Sequence, residues 1–238
     1  MIPLRVPALL TAVIVISGCG LVDPNITDFR FVTDDKEFTI DTADWGLSGD
    51  VTLPSVPCQQ TNDLCMQASS TFCNPGEAAE CTAMCTAAAT CSMTIQVALS
   101  NEIKLADESE FQTVNDQPLA DVSVENVEYR VTENTLNTDS PVLDIYIGPL
   151  GTMSPDGAGA EHIGSVPSIP AGVQVEFTPI ELTEQGRNHL RNFIEGEEYK
   201  SPFNVIVASR LVFGAGDRLP AGRAQVGVHI IANARPSL

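Results

Sequence analysis

The sequence predicts an all-β protein, a β-sandwich carrying a Cys-rich, partly helical insert and one short helix. Three observations lead there. Apolar residues recur at period two over short runs; Gly- and Pro-containing turns separate those runs; and six cysteines crowd between Cys58 and Cys91. In 238 residues, 43% hydrophobic and 18% charged, there is enough apolar material for a packed core.

The chain begins with one cation, Arg5, and no other charge before Asp23. The mostly apolar residues from Val6 to Ile16 would span ~16 Å as a helix, too short for a ~30 Å hydrocarbon core. That layout predicts a signal peptide, and no A-x-A-like ending follows the apolar run. Ile16-Ser17-Gly18-Cys19 instead resembles the lipobox of bacterial lipoproteins. The resemblance implies lipid attachment at Cys19, cleavage before it, and acylation of the new amino terminus. Gly20, rather than Asp, follows the cysteine, and in Gram-negative lipoproteins of this kind the resemblance then implies the outer membrane. The competing reading is an ordinary cut nearby with an incidental cysteine. The expected organisation is a signal peptide over 1–18, a lipid-anchored tether over 19–27, and a β-sandwich over 28–238 with the insert at 58–91.

Glu37–Ile40 and Asp50–Leu53 read as the first strands. Then come Cys58, Cys65, Cys73, Cys81, Cys85 and Cys91. In an exported chain these predict three disulfides, and fifteen pairings stay open. Asn74-Pro75-Gly76-Glu77 has the form of a capped helix start, which predicts a helix to about Ala89. Cys81 and Cys85 would then share a helix face and reach different partners outside it. Zinc is the alternative, but only Cys81-x₃-Cys85 has ligand spacing and no His lies nearby, so no metal is expected. The window holds few large apolar residues, so bridges would stand in for a core.

Strands are expected at Thr94–Leu99, Asp121–Val131, Val142–Ile147, Val173–Phe177, Phe203–Ala208 and Ala224–Ile231. In Asp121–Val131 the alternation slips at Glu125-Asn126, the signature of a bulge or break. Thr183 caps one helix, with Leu190, Phe193 and Ile194 as its apolar stripe before Gly196. After about Leu119 the chain is loosely similar to immunoglobulin-like sandwiches, a likeness that implies no function. Two small β domains are the alternative organisation.

The formal charge is −19, from 12 basic and 31 acidic residues, which excludes a nucleic-acid footprint. The stretch 187–238 is the only mildly basic part, and the simpler account is strands pairing with acidic neighbours. Chemistry is sparse. His162, His189 and His229 are the only histidines, and no nucleophile elbow, zinc-protease or phosphate-loop motif occurs. Gly214-Ala215-Gly216 reads as a turn. Asp34-Asp35 and Asp107-Glu108-Ser109-Glu110 lack calcium-loop spacing and read as a solvated face. His189 beside Arg187 and Arg191 reads as an exposed helix face. No catalytic or cofactor-binding residue is assigned and no cofactor is expected. The expected partners are the membrane, through the lipid, and another envelope protein. The leading function is a non-enzymatic structural or binding module; the alternative is an envelope hydrolase using acidic residues.

Overall fold

A computed structural model describes residues 29–47, 51–58, 63–73, 79–108, 111 and 118–236. The lipobox, Cys19, the tether and Asn74–Glu77 lie outside the described residues.

The fold is all-β, built from two antiparallel sheets. In chain order the strands are β1 (Phe29–Val32), β2 (Lys36–Asp41), β3 (Ala79–Cys85), β4 (Cys91–Ile103), β5 (Leu119–Asn134), β6 (Leu143–Pro149), β7 (Glu161–Val166), β8 (Val175–Pro179), β9 (Glu181–Leu182), β10 (Phe203–Phe213) and β11 (Arg223–Pro236). Helix α1 (Asp63–Phe72) precedes β3 and α2 (Glu184–Asn192) follows β9. One sheet runs β1-β11-β5-β8, with β2 also on β11; the other runs β3-β4-β10-β6-β7-β9. Inward residues of both sheets, among them Phe31, Phe38, Val127, Ile95, Ile145 and Val207, meet in one apolar core.

Two links tie the layers at their margins. Ile180 is a buried corner between β8 in one sheet and β9 in the other, its N–H bound to Val127 O at 2.9 Å. At the opposite margin, Asn101 Nδ2 on β4 donates to Glu37 O on β2 at 2.8 Å.

The slip at Glu125 is real. Ile231 pairs with Asn126 and Ala232 with Val124, so Glu125 has no opposite number on β11. The strand therefore continues through a bulge instead of breaking. Helix α2 also forms as read: Thr183 Oγ1 accepts from Gly186 N at 2.8 Å, and Leu190 and Ile194 are fully buried. Gly186 is there for space. A Cβ at that position would lie 2.3 Å from Ile163 O, because α2 lies directly on β7.

Other expectations need correction. Ala79–Cys85 is strand, not helix, and the helix of the insert is α1, which ends at Phe72, before the Ala-rich stretch that suggested one. Seven paired positions with β4 override the weak helical preference of that stretch. Asp50–Leu53 makes no strand among its described residues; Thr52 forms only an isolated bridge with Arg218. The expected strand at Val173 starts two residues later, since Val173 N closes a turn onto Pro170 O around Gly172, whose φ is +72°. Strands β1, β7 and β9 were not expected.

The three disulfides are Cys58–Cys85, Cys65–Cys91 and Cys73–Cys81. Cys81 and Cys85 share one face of β3 and reach different partners outside it. Cys58, Cys65, Cys91 and Ala83 form a second small buried cluster under α1.

Candidate functional site

Four strands build a depression on the outer face of the six-stranded sheet. Register aligns Glu80 on β3 with Gln96 on β4 and Gln96 with Arg210 on β10. One pleat along, Ala98, Ala208 and Asp144 on β6 form the next row. The two alanines leave the floor low while the longer side chains around them stand up from the pleat. Tyr146, two residues after Asp144, closes one end. Ser154, Pro155 and Asp156 form a wall, and the groove encloses ≈ 480 Å³.

The wall is fixed in place. Residues 150–160 fold back over the sheet, with Asn204 Nδ2 donating to Thr152 O at 2.9 Å and Thr152 Oγ1 donating to Ala158 O at 3.2 Å. Gly148 and Gly157 leave room for Thr152: a Cβ on either would stand 2.9 Å from its side chain. Ile206, on the same outward-facing phase of β10 as Asn204, is fully buried.

Beside the groove, β7 carries a register shift at Ile163 that places His162 and Ser165 on the same outer face. Ser165 Oγ donates to Asp144 Oδ1 at 2.6 Å, and His162 Nε2 lies 3.3 Å from Ser165 Oγ and 3.5 Å from Asp144 Oδ1. The His162 ring stands edge-on to Tyr146 at 5.2 Å. A serine nucleophile needs its proton directed to an imidazole held by a carboxylate. Here the hydroxyl proton goes to the carboxylate, an arrangement that orients Asp144 without activating Ser165. Burial, then the Asp144 and Asp156 carboxylates, push the Tyr146 phenol above its usual value, so it stays a neutral donor.

The outer face of the five-stranded sheet carries a different cluster. His229 on β11 is buried, with Nδ1 2.9 Å from Asp35 Oδ1 and Nε2 3.2 Å from Glu128 Oε2. Arg130 Nη2 lies 2.8 Å from Asp35 Oδ2 and 2.7 Å from Glu37 Oε1, and its guanidinium sits 5.0 Å from the centroid of the Phe177 ring. Phe177 lies at 4.2 Å on His229. Glu37's hydrogen bond, then the Asp35 and Glu37 charges, raise Arg130 above its ordinary value. Farther along the sheet, Glu125 accepts from Asn233 at 2.6 Å and Arg30 at 3.0 Å, which lowers its carboxyl below the usual range.

The remaining residues singled out from sequence fall elsewhere. His189 Nε2 lies 2.6 Å from Glu161 Oε2, so that helix face is paired to β7. Asp34 and the Asp107 segment do meet: Asp34 N donates to both Glu108 carboxylate oxygens at 3.3 Å, with Lys36 and Lys104 lining the same hollow. Ser109 and Glu110 lie outside the described residues. Gly214–Gly216 is a turn closed by Asp217 N onto Gly214 O. Among the described residues, the grouping with ligand spacing is Cys58, Cys65 and Cys91, whose sulfurs lie within 4.8 Å of one another and are held in disulfides. Trp45 lines a narrow apolar slot of ≈ 30 Å³ between the sheets, room for about two waters. No helix among the described residues is long and apolar enough to cross a membrane.

Sequence reading passed over Glu80, Gln96, Asp144, Tyr146 and Arg210 as site residues. Gln96, Asp144 and Tyr146 alternate outward in the strands expected from sequence, but Glu80 lay in a stretch read as helix, Arg210 lay past the expected end of its strand, and which strands lie side by side was not visible. Comparison with protein-family models, curated proteins and solved structures returned no match.

Proposed function

We propose that this chain is a cell-envelope lipoprotein, tethered through Cys19 to the outer membrane of a Gram-negative bacterium, whose β-sandwich acts as a non-enzymatic binding module at the membrane surface. Its observation is one of parity. Six of seven cysteines pair among themselves, and Cys19, in the lipobox-like Ile16-Ser17-Gly18-Cys19, is the one left over. Three acyl chains, at ~0.8 kcal/mol per buried CH₂, would hold it permanently. The rigid-walled groove supports binding as the role. One domain over 28–238 and the immunoglobulin-like likeness belong to the same proposal, supported by two antiparallel sheets around one core.

The deciding experiment is intact-mass analysis of the mature protein with and without reduction. A triacylated amino-terminal Cys19 and a gain of six hydrogens from three bridges are expected. A lipid-free chain with seven free thiols would overturn the reading. The second reading, an envelope hydrolase using acidic residues, rests on Glu80, Asp144 and Asp156 lining one groove. It fails if an Asp144→Asn, Asp156→Asn double variant retains every hydrolytic activity found in the parent.

A further inference from the structure

We propose that the groove over Ala98 and Ala208 binds a neutral saccharide of one or two rings. This deepens the binding-module reading and is independent of the lipid anchor.

The argument starts from which charges are left over. Arg210, Glu80, Gln96 and Asp156 make no side-chain hydrogen bond or ion pair among the described residues, although each stands at the rim of one open groove. On the opposite sheet the comparable side chains are bound to one another. A purely cationic ligand would meet Arg210, and a purely anionic one would meet three carboxylates. A polyol avoids both penalties, since each hydroxyl donates once and accepts twice. Such a ligand needs donors and acceptors interleaved at close spacing. The row Glu80–Gln96–Arg210 supplies an acceptor, a group that does both, and a donor, on neighbouring strands ~4.8 Å apart.

Asp144 is pre-set for this role. Ser165 fixes one carboxylate oxygen, and no hydrogen bond occupies the other among the described residues, while Asp144 lines the groove. The neutral Tyr146 phenol adds a donor and the only aromatic ring of the lining. The volume of ≈ 480 Å³ falls within the roughly 300–1,000 Å³ of small-molecule sites. The wall needs no ordering on binding, because Thr152 and Asn204 already hold it.

The test uses the full chain in detergent, titrated by calorimetry and by NMR with cellobiose, maltose and the N-acetylglucosamine disaccharide, and separately with spermidine and inorganic phosphate. Binding of at least one neutral disaccharide is expected. Asp144→Asn and Arg210→Ala should each weaken it about tenfold, the worth of one charge-assisted hydrogen bond. Ala208→Leu should abolish it by filling the floor, and Thr39→Val, on the other sheet, should change nothing. If Ala208→Leu misfolds, the rim substitution Gln96→Ala replaces it and should also weaken binding. No neutral disaccharide bound at millimolar concentration, binding confined to spermidine or phosphate, or affinity unmoved by the groove variants would each overturn the proposal. Saccharide binding by a chain that carries no lipid would sink the tether and leave the groove standing. An anchored chain that binds none of the disaccharides would do the reverse.

Discussion

The outer faces of the two sheets hold similar side chains and use them differently. On the five-stranded sheet, His229 lies between Asp35 and Glu128, Arg130 between Asp35 and Glu37, and Phe177 covers both His229 and Arg130. On the six-stranded sheet, Arg210, Glu80 and Asp156 ring an open hollow without meeting one another. Composition does not separate these faces; partnering does. Charges that satisfy each other on a sheet hold its strands in register, whereas charges left apart around a low floor are available to something else.

The largest effect should come from breaking the paired face. His229→Leu leaves Asp35 and Glu128 without their shared partner, and about 2–3 kcal/mol should be lost in urea denaturation. That is below the cost of a fully buried pair, because the two carboxylates keep 28% and 21% exposure. A loss under about 0.5 kcal/mol would show that this face is not held by its charges. Arg130→Met comes next, at about 1–2 kcal/mol, since its side chain is 32% exposed. Combined with Glu37→Gln, the losses should be less than additive; strict additivity would mean that the 2.7 Å contact carries no energy.

A smaller, directional effect belongs to the open face. Tyr146's folded value lies above the unfolded ~10, so folding retains its proton, and stability falls as pH rises from about 10 toward the folded value. Tyr146→Phe should flatten that alkaline decline. Asp144→Asn should move the Tyr146 phenol transition downward in an ultraviolet titration, by part of the shift only, because burial is the larger cause. An unmoved transition would mean that Asp144 does not face the ring. The smallest effect closes the series: Arg210→Ala or Glu80→Gln should change stability by less than about 0.5 kcal/mol, since neither has a partner to lose. A substantial cost would place them with the paired face.

Legibility from sequence followed the range of the physics involved. The bulge at Glu125 and the Thr183 cap were readable because period-two alternation and capping act within a few residues. The Ala-rich stretch deceived for the same reason: its local signals favour a helix, while the deciding pairing, Ala79–Cys85 with Cys91–Val97, runs between strands. Helix α1 gave a weak signal, with Ser69, Ser70 and Thr71 in its last turns, and it is tied to β4 by Cys65–Cys91. The groove was hidden altogether. Glu80, Gln96, Asp144 and Arg210 come from four strands whose order, β3-β4-β10-β6, departs from the order in the chain.

The insert has a consequence for how the molecule keeps company with copies of itself. At the β3–β4 end of the larger sheet, α1 packs over Ala83 and Cys91, tied to β4 by Cys65–Cys91 and, just past its end, to β3 by Cys73–Cys81. With the bridges open, that hairpin loses its cover and presents a bare, mildly apolar strand pair, the kind of surface on which β proteins adhere edge to edge. Solubility is thereby tied to the redox poise of the compartment. The same chain is expected to stay dispersed where thiols are oxidised and to clump where they are reduced.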